Sequence, residues 1–231
     1  MPDLKYRSSG IELMDDLNCK GEVVDQTLRE LDVINKWLGG DNISIRAVQE
    51  LLDNVDQPIT FLDLGCGGGD ILIALAKWGR KHHKQIQFIG IDANPAIVAY
   101  ARSNCKDYPE ISFRCINIFD QEFATLQCDI LHCCLFTHHF TSEELSKLLG
   151  QFRQQASLKV IINDLHRHTL AYHSIKWLTK LFSKSPMVQH DAALSVARGF
   201  LKSELQDLLK GAQIDQYRLA WRWAFRWELI Y

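Results

Sequence analysis

The chain has 231 residues, with 26 lysines and arginines against 28 acids and a formal net charge of −2. That near-neutral balance excludes a protein built mainly to grip phosphate backbones, so no nucleic-acid partner is expected. Hydrophobic residues make up 47%, enough for one sizeable core without staples, and no apolar run reaches the roughly 18 residues of a membrane span.

In chain order, residues 22–37 carry Val24, Leu28, Leu31 and Ile34 at three- and four-residue steps. This spacing predicts a helix, with Gly39 and Gly40 as its stop. A second helix is predicted over 44–52. Beyond Pro58 the pattern alternates. Strands are expected at 59–64, 86–91, 111–116, 128–135 and 160–163, and helices at 71–78, 95–105 and 142–155. Such alternation predicts an α/β fold: a doubly wound, mostly parallel, Rossmann-like sheet covered on both faces. Residues 166–199 are too many for an ordinary connection and read as a helical lid, followed by a helix at 202–209. The tail, 214–231, alternates Trp221, Trp223, Phe225 and Trp227. It predicts two further strands, seven in all. The chain thus divides into an N-terminal helical cap, 1–43, and a main domain, 44–231.

The densest signal is Asp63-Leu64-Gly65-Cys66-Gly67-Gly68-Gly69-Asp70, between the first strand and its helix. Glycines there let backbone N–H groups and a helix N-terminus approach a ligand, at the sheet edge where open α/β folds bind theirs. A dinucleotide loop needs a glycine where Asp70 stands, and Asp63 suits a cationic ligand better than a pyrophosphate. A nicotinamide-dependent oxidoreductase is therefore the runner-up, beside a binding module without catalysis. Asp92 ends the second strand, where a carboxylate accepts both hydroxyls of a ribose; Asn94 is the better-placed helix cap.

The segment Leu62-Asp63-Leu64-Gly65-Cys66-Gly67-Gly68-Gly69 resembles the first motif of class I S-adenosylmethionine (SAM)-dependent methyltransferases. Asp92 matches that family's ribose-binding acid. Asn117-Ile118-Phe119-Asp120 resembles its adenine-holding segment, and residues 128–140, with paired His138 and His139, its fourth-strand motif. The chain is most similar to the small-molecule branch that includes quinone-biosynthesis methyltransferases. Residues 7–9, 34–40 and 183–186 resemble methyltransferases that accompany type III polyketide synthases. The resemblance implies SAM as cofactor, held by Asp63, Gly65, Cys66, Gly67, Asp92, Ala93, Asn117, Ile118, Phe119 and Cys134. It also implies a cation for the SAM carboxylate, Arg46 or Arg7. The expected acceptor is a small aromatic or quinone- or polyketide-like molecule, with O-methylation favoured over C-methylation.

A phenol acceptor, with a pKa near 10, needs a base, and histidine is the usual one. Of nine histidines, His82 and His83 read as solvent-exposed and His132 as packed within a strand. His139, His166 and His190 sit at the ends of the fourth and fifth strands or in the lid, and are jointly the expected base. No metal is expected, because Cys133 and Cys134 point to opposite faces of a strand. Seven cysteines without a C-x-x-C pair are expected as free thiols in a reducing compartment. No apolar leader opens the chain, so a cytoplasmic protein is expected. Nothing in the sequence specifies an oligomeric state.

Overall fold

The computed structural model describes residues 3–231. Seven strands form one sheet: β1 (Ile59–Leu64), β2 (Ile86–Asp92), β3 (Ile111–Cys115), β4 (Cys128–Cys134), β5 (Ala156–Leu165), β6 (Arg218–Arg222) and β7 (Arg226–Ile230). Their order is β3-β2-β1-β4-β5-β7-β6. The first five are parallel. β7 runs antiparallel between β5 and β6. The predicted sheet is therefore present, and its last two strands form a hairpin whose second arm inserts beside β5. Dinucleotide-binding sheets run 3-2-1-4-5-6, so the inserted antiparallel strand separates this fold from the oxidoreductase alternative.

Apolar residues on alternate positions of one strand feed two cores. Leu62 and Leu64 pack with Leu131, Phe152 and Phe200, whereas Phe61 packs with Leu72, Leu75 and Phe88. This is the period-two consequence of a sheet buried on both faces. The covering helices are α1 (Glu22–Trp37), α2 (Gly40–Leu52), α3 (Asp70–Lys81), α4 (Pro95–Asn104), α5 (Gln121–Ala124), α6 (Ser142–Gln155), α7 (Thr169–Phe182), α8 (Pro186–Arg198) and α9 (Lys202–Gly211).

Four details differ from the sequence reading. Gly40 opens α2 rather than ending α1. A Cβ there would stand 2.0 Å from Asn35 and 2.8 Å from Arg226, so the close approach, not a helix stop, requires glycine. The division drawn at 43/44 falls inside this helix. β5 is ten residues long because its polar first half continues the ladder with β4. The alternation of the tail is broken at Trp223 and Phe225, which belong to the hairpin turn rather than to a strand.

The segment after β5 folds as two helices, with the Ser185 side chain capping α8. The N-terminal segment is tied to α8. Ser8 N–H donates to the Ala197 carbonyl, and the Leu13 and Met14 N–H groups donate to the Asp191 carboxylate. Among the described residues, no helix is long and apolar enough to cross a membrane.

Candidate active site

A cavity of about 1120 Å³ opens at the carboxyl ends of β1, β2 and β4 and runs beneath the N-terminal segment, α1, α7 and α8. Every residue expected to hold the cofactor lines it except Arg46. The glycine loop forms its floor. Gly65 has φ 64°, and a Cβ there would lie 2.2 Å from the Phe136 ring, so only glycine keeps the loop this low.

Asp63 is buried, and its Oδ1 lies 2.7 Å from His132 Nδ1. Ser44 Oγ closes the other side of that ring, 2.8 Å from Nε2, so His132 is packed as expected and fixes the carboxylate from behind. Asp92 Oδ1 accepts the Asn94 N–H, while Asn94 caps α4 through the Ala96 and Ile97 N–H groups. Asp92 is thus free of capping duty for that helix. Desolvation pushes its pKa up to about 6. Burial also raises the Cys66 thiol, and Cys134 to about 12, so neither is a reactive thiolate. On the cavity wall, Phe119 and Phe140 meet edge to face at 5.7 Å.

Arg46 is exposed on α2 and does not line the cavity. It lies on the helix face turned away from the sheet. A buried cation that does line the cavity is Arg226, donating to Asn35 Oδ1 at 2.7 Å and to Asn163 Oδ1 at 3.4 Å. Antiparallel pairing sets it opposite Leu165 at the end of β5. An arginine next to Trp227 in the aromatic tail was the available signal. Arg7 lines the cavity too, but its guanidinium donates to the carbonyls of Arg198, His138 and Phe140.

Of the expected bases, only His139 lines the cavity. Its Nδ1 is 2.6 Å from Asp15 Oδ1, and Asp15 also pairs with Arg198 at 2.6 Å. His166 instead packs against Trp227 and accepts the Trp221 indole N–H, because the β6–β7 hairpin covers it. His190 is exposed on the outer side of α8, paired with Asp191. His138 takes their place. It is 2% exposed, its Nδ1 lies 2.7 Å from Asp164 Oδ1, and its Nε2 faces Glu12 Oε1 at 3.6 Å. Burial opposes its charge, but Asp164 and Glu12 outweigh that and hold its pKa up to about 9. Asp164, though desolvated, is held well below the usual carboxylate range by His138 and Thr137. Glu12, Asp15 and Asp164 escaped the sequence reading. Only Asp164, an acid ending an apolar strand, carried a local signal; the other two arrive from 120 or more residues away.

Comparison with known proteins agrees with this geometry. The sequence model of the methyltransferase domain family matches residues 61–157. A carboxy-S-adenosyl-L-methionine synthase of Helicobacter pylori (strain HPAG1) is 31% identical over 75 residues, 32% of this chain and 30% of that enzyme; the match spans under a third of the relative's length. Among solved structures, the plantazolicin methyltransferase BpumL in complex with SAH superposes with a TM-score of 0.61 at 18% identity, covering 87% of this chain and 84% of that one. The CurJ carbon methyltransferase gives 0.62 at 12% identity, over 82% and 53%. At these identities the likeness is one of fold. The strand order, the acid-flanked glycine loop and the methyltransferase-domain match over residues 61–157 agree with one another, and the fold is that of the class I SAM-dependent methyltransferases.

Proposed function

We propose that the protein transfers a methyl group from SAM to a small aromatic or quinone- or polyketide-like acceptor, at oxygen rather than carbon. The observation that carries this reading is the single cavity joining the Asp63–Asp92 end to the His138–His139 end under a mostly apolar roof. The donor set fits the cofactor: Asp63 and Asp92 are carboxylates for an ammonium and a ribose, and Arg226 is a buried cation for a carboxylate. Bound SAM supplies an electrophilic methyl group on a sulfonium.

The remaining work belongs to the chain. Asp92 accepts the ribose hydroxyls, and the Gly65–Gly69 backbone approaches the amino-acid part. Leu170, Ile175 and Leu178 of α7, with Val188 and Val196 of α8, exclude water from the acceptor. Among the described residues, His138 and His139 are the histidines that line the cavity; Asp164 and Glu12 hold His138 protonated, so His139 is the one placed to take the proton of an acceptor hydroxyl. Alignment supplies most of the rate, as befits an in-line transfer.

The test is calorimetry with SAM, S-adenosylhomocysteine and NAD, followed by a SAM-consumption screen over phenols, quinols and alkylresorcinols with mass detection of product. Binding of NAD without SAM, or no methylated product from any of the three acceptor classes, overturns the reading.

A further inference from the structure

Glu12, His138 and His139 each bring a donor atom to within 4.8 Å of the others at the acceptor end of the cavity. Glu12 comes from the N-terminal segment. The histidines come from the single 3-10 turn that follows β4, Thr137–His139. Glu12 and His138 are 4% and 2% exposed, and their facing atoms, Oε1 and Nε2, have no hydrogen-bond partner among the described residues. The gap of 3.6 Å between them is too long for a hydrogen bond. It is close to the separation of two ligands on one ion, about 3–3.5 Å when each sits roughly 2.0–2.2 Å from the metal.

The atoms behind these donors are arranged as they are around metals. Asp164 holds His138 Nδ1 and Asp15 holds His139 Nδ1. A carboxylate behind each imidazole fixes the ring and leaves Nε2 to the ligand. Ser195 donates to the other oxygen of Glu12. The local charge has room for a cation. Four carboxylates, Glu12, Asp15, Asp164 and Asp191, surround the cluster, against two guanidiniums, Arg7 and Arg198. Ligation needs both imidazoles neutral, so the ion displaces the proton that His138 otherwise carries; two negative charges then remain, which one divalent ion cancels. Arg198 approaches Glu12 Oε1 only to 3.7 Å and is engaged chiefly with Asp15 at 2.6 Å.

We propose that Glu12, His138 and His139 bind one first-row divalent transition metal, with its open positions turned to the cavity. Two imidazoles and one carboxylate form a donor set that such ions take with positions left free. The proposal rests on the reading of this end as the acceptor site. There the ion binds the acceptor's oxygen and raises the acidity of its hydroxyl. It replaces the expectation that no metal is bound. That expectation considered Cys133 and Cys134, whose buried thiols take no part.

The experiment titrates untagged, chelator-treated protein with Mn²⁺, Co²⁺ and Zn²⁺ by calorimetry and follows Co²⁺ by its visible absorption. One ion per chain is expected. Glu12→Gln and His139→Ala should each weaken it by more than about 100-fold, beyond the roughly 10–100-fold typical of outer-shell changes. SAM affinity and circular dichroism should stay unchanged, showing that the variants fold. Absence of stoichiometric binding by all three ions, or binding indifferent to both substitutions, overturns the proposal. Methyl transfer that persists in metal-free protein overturns the metal and leaves the transferase reading intact. Stoichiometric metal binding lost in both variants, in a protein that binds no SAM, supports the metal site and overturns the transferase reading.

Discussion

His132 Nδ1 lies 2.7 Å from Asp63 Oδ1 inside the sheet, with Ser44 Oγ 2.8 Å from the far nitrogen. Ser44 in turn accepts from Asn163, which donates also to the Gly40 carbonyl. A buried polar chain therefore links the strand that ends in the glycine loop to the start of α2. His132→Ala leaves Asp63 and Ser44 without their partner and opens a void. Stability should fall by about 2–4 kcal/mol, read by urea denaturation. An unchanged midpoint would show that the chain is not under load.

Under the proposed role of Asp92 at the ribose, SAM binding is expected to depend on pH. Desolvation raises its pKa to about 6, so the carboxylate is ionised at neutral pH and takes up a proton below about 6. The neutral acid is a poor acceptor for ribose hydroxyls. SAM affinity should therefore be level above pH 7 and fall by up to about tenfold per pH unit below 6. Calorimetry across pH 5–8 checks this. Asp92→Asn should bind weakly and remove most of the slope. Asp70, raised to about 6 by burial and Asp32, also lines the cavity, and Asp70→Asn should keep the slope.

Arg226 and Arg46 should part company. Arg226→Met removes a buried cation from the cavity wall and should weaken SAM binding by about 1.5–3 kcal/mol, the scale of a charged hydrogen bond. Arg46→Ala, at an exposed position, should leave it within error. Equal effects would return the carboxylate to α2.

The histidines should divide in the same way. His139→Ala should cost about 10²–10⁴-fold in turnover with SAM affinity retained. His166→Ala and His190→Ala, whose side chains lie outside the cavity, should stay within a few-fold. Turnover measured under saturating SAM with a phenol acceptor decides it.

Asp191 holds the Leu13 and Met14 N–H groups from α8, so it ties the N-terminal roof to the lid. Asp191→Ala should speed amide exchange in residues 10–16 and lower turnover more than SAM affinity. Exchange at the wild-type rate would mean that the tie bears no part of the closure.

The fold, and the gathering of Asp63, the glycine loop and Asp92 at one cavity, were legible in the chain itself, because their signals are local. Hydrophobic period fixes each strand or helix, and a glycine loop between Asp63 and Asp70, with Asp92 one strand later, is contiguous chemistry at a place that topology specifies. The acceptor end was not legible. Its pairs, Glu12 with His138, Asp15 with His139 and Asp164 with His138, span 126, 124 and 26 residues and meet only when the N-terminal segment closes over the turn after β4. His166 and His190 sit in the right segments, yet the hairpin packs over one and the outer face of α8 carries the other. Arg226 reaches the cavity only because β7 turns back antiparallel beside β5. Which way a side chain faces, and which distant carboxylate it meets, depends on packing between elements, and no sequence period encodes that.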